Sequence, residues 1–124
     1  MIKLIIVPLL VFFFYPQSLL ANKYTLKQCN IISNHLNKEV PKVIDKATTL
    51  TSTVCTYGPV FTYNYSVLNS INFIPNSFVK KLRMQWCTNP QFADLINGFE
   101  KIEFVYYKKN GEFIKTIVVA KEYC

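Results

Sequence analysis

Four cysteines, Cys29, Cys55, Cys87 and Cys124, are spread along the chain so that no two are near neighbours. Nothing else in the sequence limits the fold as strongly. A zinc site draws on closely spaced Cys and His ligands, typically C-x-x-C; no such spacing occurs, and His35 is the only histidine. An even cysteine count means buried thiols in a reducing compartment and a disulfide framework in an oxidising one. Where the chain resides therefore decides how it is held together.

The stretch "MIKLIIVPLLVFFFYPQSLLA" has a basic start at Lys3, an apolar run from Leu4 to Tyr15, a break at Pro16 and a small residue at Ala21. These are the parts of a secretory signal peptide, expected over residues 1–21. The apolar run is short for a bilayer span and is interrupted by Pro8 and Pro16. A lipid anchor on Cys29 is rejected because "LKQC" places bulky polar residues where small ones are needed. Residues 22–124 are then long enough for one compact domain and thin for two. Export makes disulfides the expected state of the cysteines and a periplasmic or extracellular address the expected one.

That domain reads twice through the same order. Thr25 and Gln28 have the spacing of a capping box, and Leu26, Cys29, Ile32, Leu36 and Val40 recur at helical spacing until Pro41. A hairpin follows in which Phe61, Tyr63, Tyr65 and Val67 alternate with Thr62, Asn64 and Ser66. If Gly58 and Pro59 make its turn, Tyr57 pairs with Val60, Val54 with Tyr63 and Leu50 with Val67. Thr51, Thr53 and Cys55 then fall on a polar, wetted face with Thr62, Asn64 and Ser66. A second helix starts near Asn76 or Ser77 and carries Phe78, Val79, Leu82 and Trp86 on one stripe. Asn89 and Pro90 restart the chain as a short helix closed by Gly98. The second hairpin turns at Asn110 and Gly111, a pair that favours a two-residue turn and sets Lys109 opposite Glu112, Phe104 opposite Ile117 and Ile102 opposite Val119. The expected fold is α+β, in helix-hairpin-helix-hairpin order: one antiparallel sheet with two helices on one face and two disulfides.

Four cysteines allow three connectivities, and spacing alone does not choose among them. Each half of the domain contains one helix cysteine and one strand-region cysteine, which favours Cys29–Cys55 and Cys87–Cys124. The second bridge would keep the last strand from peeling away.

The last third, with Cys87, Asn89, Pro90, Tyr106, Tyr107, Asn110, Gly111 and Cys124, resembles a loose group of small exported proteins of Gram-negative bacteria that have no settled function. The first hairpin shares the likeness only loosely. The resemblance implies an envelope or periplasmic address and supports the Cys87–Cys124 bridge; it implies no catalytic residues.

No catalytic, cofactor or metal site emerges. His35 lies off the apolar stripe of its helix and is expected on a solvated surface. The seven carboxylates form no motif, and three glycines cannot build a phosphate-cradling loop. The whole chain carries a net charge of +7; without Lys3, 13 basic residues stand against 7 acidic ones, leaving +6. This balance suits anionic partners, but the lysines are scattered, "VKKLR" and "YYKKNG" being the only local clusters. Membrane headgroups lack a basic arm to bind them, and an exported chain seldom meets nucleic acid.

The reading that remains is a non-enzymatic, exported protein-binding module of the bacterial envelope, an accessory or adaptor. Two alternatives need only a rigid surface as well: an inhibitor or immunity protein against an extracytoplasmic enzyme or toxin, and a secreted effector. The candidate surface is the face of the second hairpin away from Ile102 and Phe104. In the Asn110-Gly111 register it carries Val105, Tyr107, Ile114 and Val118, rimmed by Lys108 and Lys109 that favour an acidic partner. Tyr107 is the expected anchor.

Overall fold

The computed structural model describes residues 23–124. The expected signal peptide, residues 1–21, lies outside the described residues. The described chain is α+β: helix α1 (Leu26–Asn37), strands β1 (Lys42–Val43), β2 (Thr48–Thr56) and β3 (Val60–Val67), helices α2 (Asn76–Thr88) and α3 (Pro90–Gly98), strands β4 (Lys101–Lys108) and β5 (Phe113–Val119), and a closing 3-10 turn (Lys121–Tyr123). The five strands form one sheet in the order β1-β2-β3-β4-β5.

The helices begin where local chemistry supplies orphan N–H groups with partners. Thr25 Oγ1 accepts the Gln28 N–H at 3.1 Å, and Gln28 Oε1 accepts the Thr25 N–H at 2.8 Å, a reciprocal capping box. Asn89 Oδ1 accepts the Gln91 N–H at 3.0 Å while Pro90, which has no N–H to satisfy, opens α3. Helix α2 starts at Asn76 behind Pro75 without a side-chain cap.

The sheet is mixed, which corrects the expectation of a wholly antiparallel one: β3 and β4 run parallel, with Val60 beside Lys101 and Val67 beside Lys108. Between them the chain passes through both α2 and α3. Thirteen residues of α2 rise roughly 20 Å at 1.5 Å per residue, most of the length of the eight-residue β3, which is about 26 Å at 3.3 Å per residue. The connection thus returns the chain to the end where β3 began, and β4 must leave in the same direction. The short β1 is a further difference. It pairs with β2 through Lys42 and Leu50, ahead of the expected first hairpin.

Parallel pairing puts like side chains side by side. Tyr63 neighbours Phe104 and Tyr65 neighbours Tyr106, with rings stacked at centroid distances of 5.2 Å and 5.1 Å. Trp86 of α2 meets Phe104 edge-on at 5.4 Å and stacks on Phe92 of α3 at 4.3 Å. All six rings are buried. Offset and edge-to-face contacts of this kind add about 0.5–1.5 kcal/mol each beyond area burial.

The first hairpin differs from expectation by one position. Its loop has three residues, 57–59, so Cys55 pairs with Phe61, Val54 with Thr62 and Thr53 with Tyr63, and a bulge between Leu50 and Ser52 sets Leu50 against Tyr65. Thr53 and Cys55 therefore leave the expected wet face for the core face, and Val54 goes out to solvent. The shift also makes sense of the cysteines: Cys55 could not reach the buried face of α1 from the other side of the sheet. Cys29–Cys55 and Cys87–Cys124 are both bonded, with Cα atoms 5.9 Å and 5.4 Å apart.

Beside the first bridge, Asn37 treats Thr53 as a neighbouring strand would. Its Oδ1 accepts the Thr53 N–H at 2.8 Å and its Nδ2 donates to the Thr53 carbonyl at 3.0 Å. The Thr53 hydroxyl lies 2.8 Å from Ser33 Oγ and 3.0 Å from Asn37 Oδ1. These buried polar groups satisfy one another and fix α1 on β2. At the other end, Arg83 of α2 donates from Nε to the Val118 carbonyl at 2.9 Å and lies over the Tyr123 ring at 4.2 Å. Together with the second bridge these contacts hold the closing turn.

Candidate functional site

The β4-β5 hairpin is turned by Lys108–Gly111. The Gly111 N–H donates to the Lys108 carbonyl at 2.8 Å, and the Lys108 N–H donates to the Glu112 carbonyl at 2.8 Å. Gly111 has φ of +94°, a conformation most residues avoid. This is a three-residue loop, so Lys108 rather than Lys109 faces Glu112. Farther along, Ile102 faces Val119 and Phe104 faces Ile117 as the sequence implies, but a register shift between Tyr106 and Tyr107 sets Tyr107 against Phe113.

That shift redraws the candidate surface. Ile114 packs against the core cluster, which removes it from the outer face on which the two-residue turn would have placed it. Phe113 replaces it: 55% exposed, it meets the 37% exposed Tyr107 ring edge-on at 5.8 Å. Val105 lies on that face yet is buried, and Val118 is half-buried with its carbonyl held by Arg83. Lys108 is drawn into contacts, 3.7 Å from Glu112 and 2.7 Å from Asn72 Oδ1. Lys109 is exposed, its N–H donating to the Val67 carbonyl at 2.9 Å. The outer apolar corner is thus Tyr107 and Phe113 with Val105 and Val118 beneath. The sequence signal for Phe113 is its place two residues after a glycine that takes positive φ. It is readable only if the turn is taken as three residues.

A second feature, absent from the sequence reading, lies across β4 from this corner. A cavity of about 150 Å³ is lined by Asp45 from the β1-β2 turn, Val67, Ile71, Ile74 and Phe78, with Tyr106 in its wall. Tyr106 is fully buried, its ring fixed by Tyr65 at 5.1 Å and edge-on by Phe78 at 6.1 Å. Its hydroxyl and Asp45 Oδ2 are both buried without a hydrogen-bond partner, whereas Asp45 Oδ1 accepts the Ala47 N–H at 2.8 Å. Burial first, and then the charge of Asp45, raise the Tyr106 phenol well above its usual range, so it stays protonated. Among the described residues, no group of His, Cys, Asp and Glu side chains could hold a metal ion. His35 is half-buried on α1.

No family model and no curated protein matches the sequence. Solved structures share the fold. A candidate secreted protein of Pseudomonas aeruginosa superposes with a TM-score of 0.65 at 14% identity, covering 79% of this chain and 90% of its own. The type II secretion system pilotin EpsS of Vibrio vulnificus does so with 0.61 at 10% identity, over 79% and 93%. The type II secretion system pilotin AspS of Vibrio cholerae gives 0.59 at 14% identity, over 77% and 88%. At these identities the likeness is one of fold.

Proposed function

We propose that this chain is a non-enzymatic, exported protein of the bacterial envelope that binds a protein partner as an accessory or adaptor of a secretion apparatus. The observation that supports this reading best is the fold shared with two type II secretion pilotins over most of each chain. Two disulfides fit an oxidising compartment such as the periplasm. Tyr107 and Phe113 offer the partner an aromatic anchor whose rings lose little rotamer freedom on docking, and exposed Lys109 beside them favours acidic groups on its rim.

The test is capture of a partner from envelope extract by the tagged protein, with the recovered protein identified by mass spectrometry. Tyr107→Ala and Phe113→Ala are expected to lose that partner while folding stability stays within about 1 kcal/mol, as for other exposed positions. Recovery of a secretion component fits the accessory role. Recovery of a hydrolase or toxin instead would establish the inhibitor reading, and accumulation of the protein in culture medium the effector reading. If both variants retain the partner, the hairpin corner is not the docking surface.

A further inference from the structure

The two disulfides differ in what a nucleophile from solvent can reach. Cys29 is fully buried and Cys55 packs against the core cluster, so the first bridge is shielded by the side chains around it. The second lies at the surface: Cys124 is exposed and Cys87 half-buried. Both line an open groove of about 400 Å³ between α2 and the closing turn, together with Lys80, Arg83, Met84 and Tyr123. Lys80, Arg83, Met84 and Cys87 recur at helical spacing, so one side of α2 supplies them. The two charged side chains that line the groove, Lys80 and Arg83, are both basic. Arg83 is held by the Val118 carbonyl and the Tyr123 ring, whereas Lys80 is exposed.

We propose that the Cys87–Cys124 disulfide is an exchange site for a low-molecular-weight thiol, which enters by this groove as its thiolate. The thiolate is the form that attacks a disulfide, and access decides which disulfide reacts. Lys80 and Arg83 raise the local concentration of such an anion beside the sulfurs. The incoming sulfur bonds to Cys124 Sγ, which belongs to the more exposed residue of the pair. The Cys87–Cys124 bond breaks, and its electron pair leaves on Cys87 Sγ, which takes a proton from water. The incoming sulfur is thereby oxidised to a mixed disulfide on Cys124 as Cys87 is reduced to a thiol, and attack by the Cys87 thiolate reverses the step. The rest of the fold has no need to move. Residues 121–124 are all exposed, and the end of β5 stays tied by the Arg83 bond to the Val118 carbonyl and by the pairing of Val119 with Ile102. The site goes beyond the adaptor reading and does not depend on it, because neither Tyr107 nor Phe113 lines the groove.

Glutathione added to the disulfide-bonded protein tests this. Samples taken over time are quenched with N-ethylmaleimide, and their peptides are mapped by mass spectrometry without reduction. Cys87 is expected to be alkylated at least tenfold faster than Cys29 or Cys55, with glutathione on Cys124 and the far-ultraviolet circular dichroism unchanged. Lys80→Glu, at an exposed helix position, is expected to slow that reaction several-fold and to leave the Cys29–Cys55 bridge as it is. Opening of the first bridge as fast as the second, no reaction at either, glutathione on Cys87 instead of Cys124, or loss of the circular dichroism signal in step with alkylation would each overturn the proposal, as would an unchanged rate in Lys80→Glu. All but the last of these are read on the native chain, so they decide the matter even if the variant fails to fold.

Discussion

Gly98→Ala should destabilise this protein, against the usual direction for a helix residue. At the last position of α3, alanine has the better helix propensity, by up to about 1 kcal/mol. Gly98 does not hold a positive φ, so the backbone raises no objection. The objection is spatial: a Cβ on Gly98 would overlap the Tyr24 ring, with Cζ at 2.8 Å and two further ring atoms closer still. Tyr24 cannot yield cheaply, because it is 3% exposed, packs on Phe99 at 4.8 Å and donates its N–H to the Gly98 carbonyl at 2.8 Å. If the ring stays, overpacking costs about 1–3 kcal/mol. If it is expelled, lost burial costs about 1.5–3 kcal/mol and the ring pair about 0.5–1.5 kcal/mol. Set against a propensity gain of up to about 1 kcal/mol, the net loss lies between about 0 and 3 kcal/mol. Urea unfolding of the wild type, Gly98→Ala, Tyr24→Ala and the double variant measures it. With Tyr24 already truncated, Gly98→Ala should become neutral or stabilising, a coupling of at least ~1 kcal/mol between the two sites. A Gly98→Ala change that stabilises the wild type, or costs the same in both backgrounds, would refute the steric argument.

Three further outcomes are expected. Replacing Cys29 and Cys55 together by Ser should lower stability by about 3.5 kcal/mol, and Cys87 with Cys124 by about 3.8 kcal/mol, from the chain-entropy cost of loops 26 and 37 residues long; denaturation of each double variant beside the native protein checks this, and losses under 1 kcal/mol would contradict it. Thr53→Val should cost about 1 kcal/mol by removing the buried hydroxyl's bonds to Ser33 and Asn37, whose bonds to the Thr53 backbone remain, whereas Val54→Thr on the exposed face should change stability by less than about 0.5 kcal/mol; thermal unfolding compares them, and the reverse ranking would restore the two-residue turn. Burial holds the phenols of Tyr63, Tyr65 and Tyr106 well above the usual value near 10. Above that pH the unfolded state releases protons that the folded state keeps, so stability is full below about pH 10 and falls beyond it by about 1.4 kcal/mol per pH unit for each phenol. Ultraviolet titration should find these three ionising together with unfolding; reversible ionisation in a folded protein would contradict their burial.

Some of this structure follows from short stretches of chain. Thr25 with Gln28, and Asn89 with Pro90, mark helix starts because a cap is completed within three residues and needs nothing from the rest of the molecule. Alternation in β3 placed Tyr63 and Tyr65 on one face because successive strand residues always point to opposite sides. The register of the first hairpin and the turn end of the second were not legible, since Gly58-Pro59 and Asn110-Gly111 each fit a two-residue turn as well as a three-residue loop. A one-residue change moves every partner in the first hairpin, which is why Thr53 went inward and Val54 outward; in the second, Ile102 and Phe104 keep their expected partners and only the pairs beyond Tyr106 move, so that Phe113 took the place of Ile114 on the outer corner. Parallel pairing of β3 with β4 depends on the path of two helices between them, and the Asp45-Tyr106 cavity depends on that pairing bringing together residues far apart in the chain. Local sequence determines which residues share a side of a helix or strand. Tertiary packing decides which of those sides meet, because loop geometry and crossover path are settled only when the elements dock.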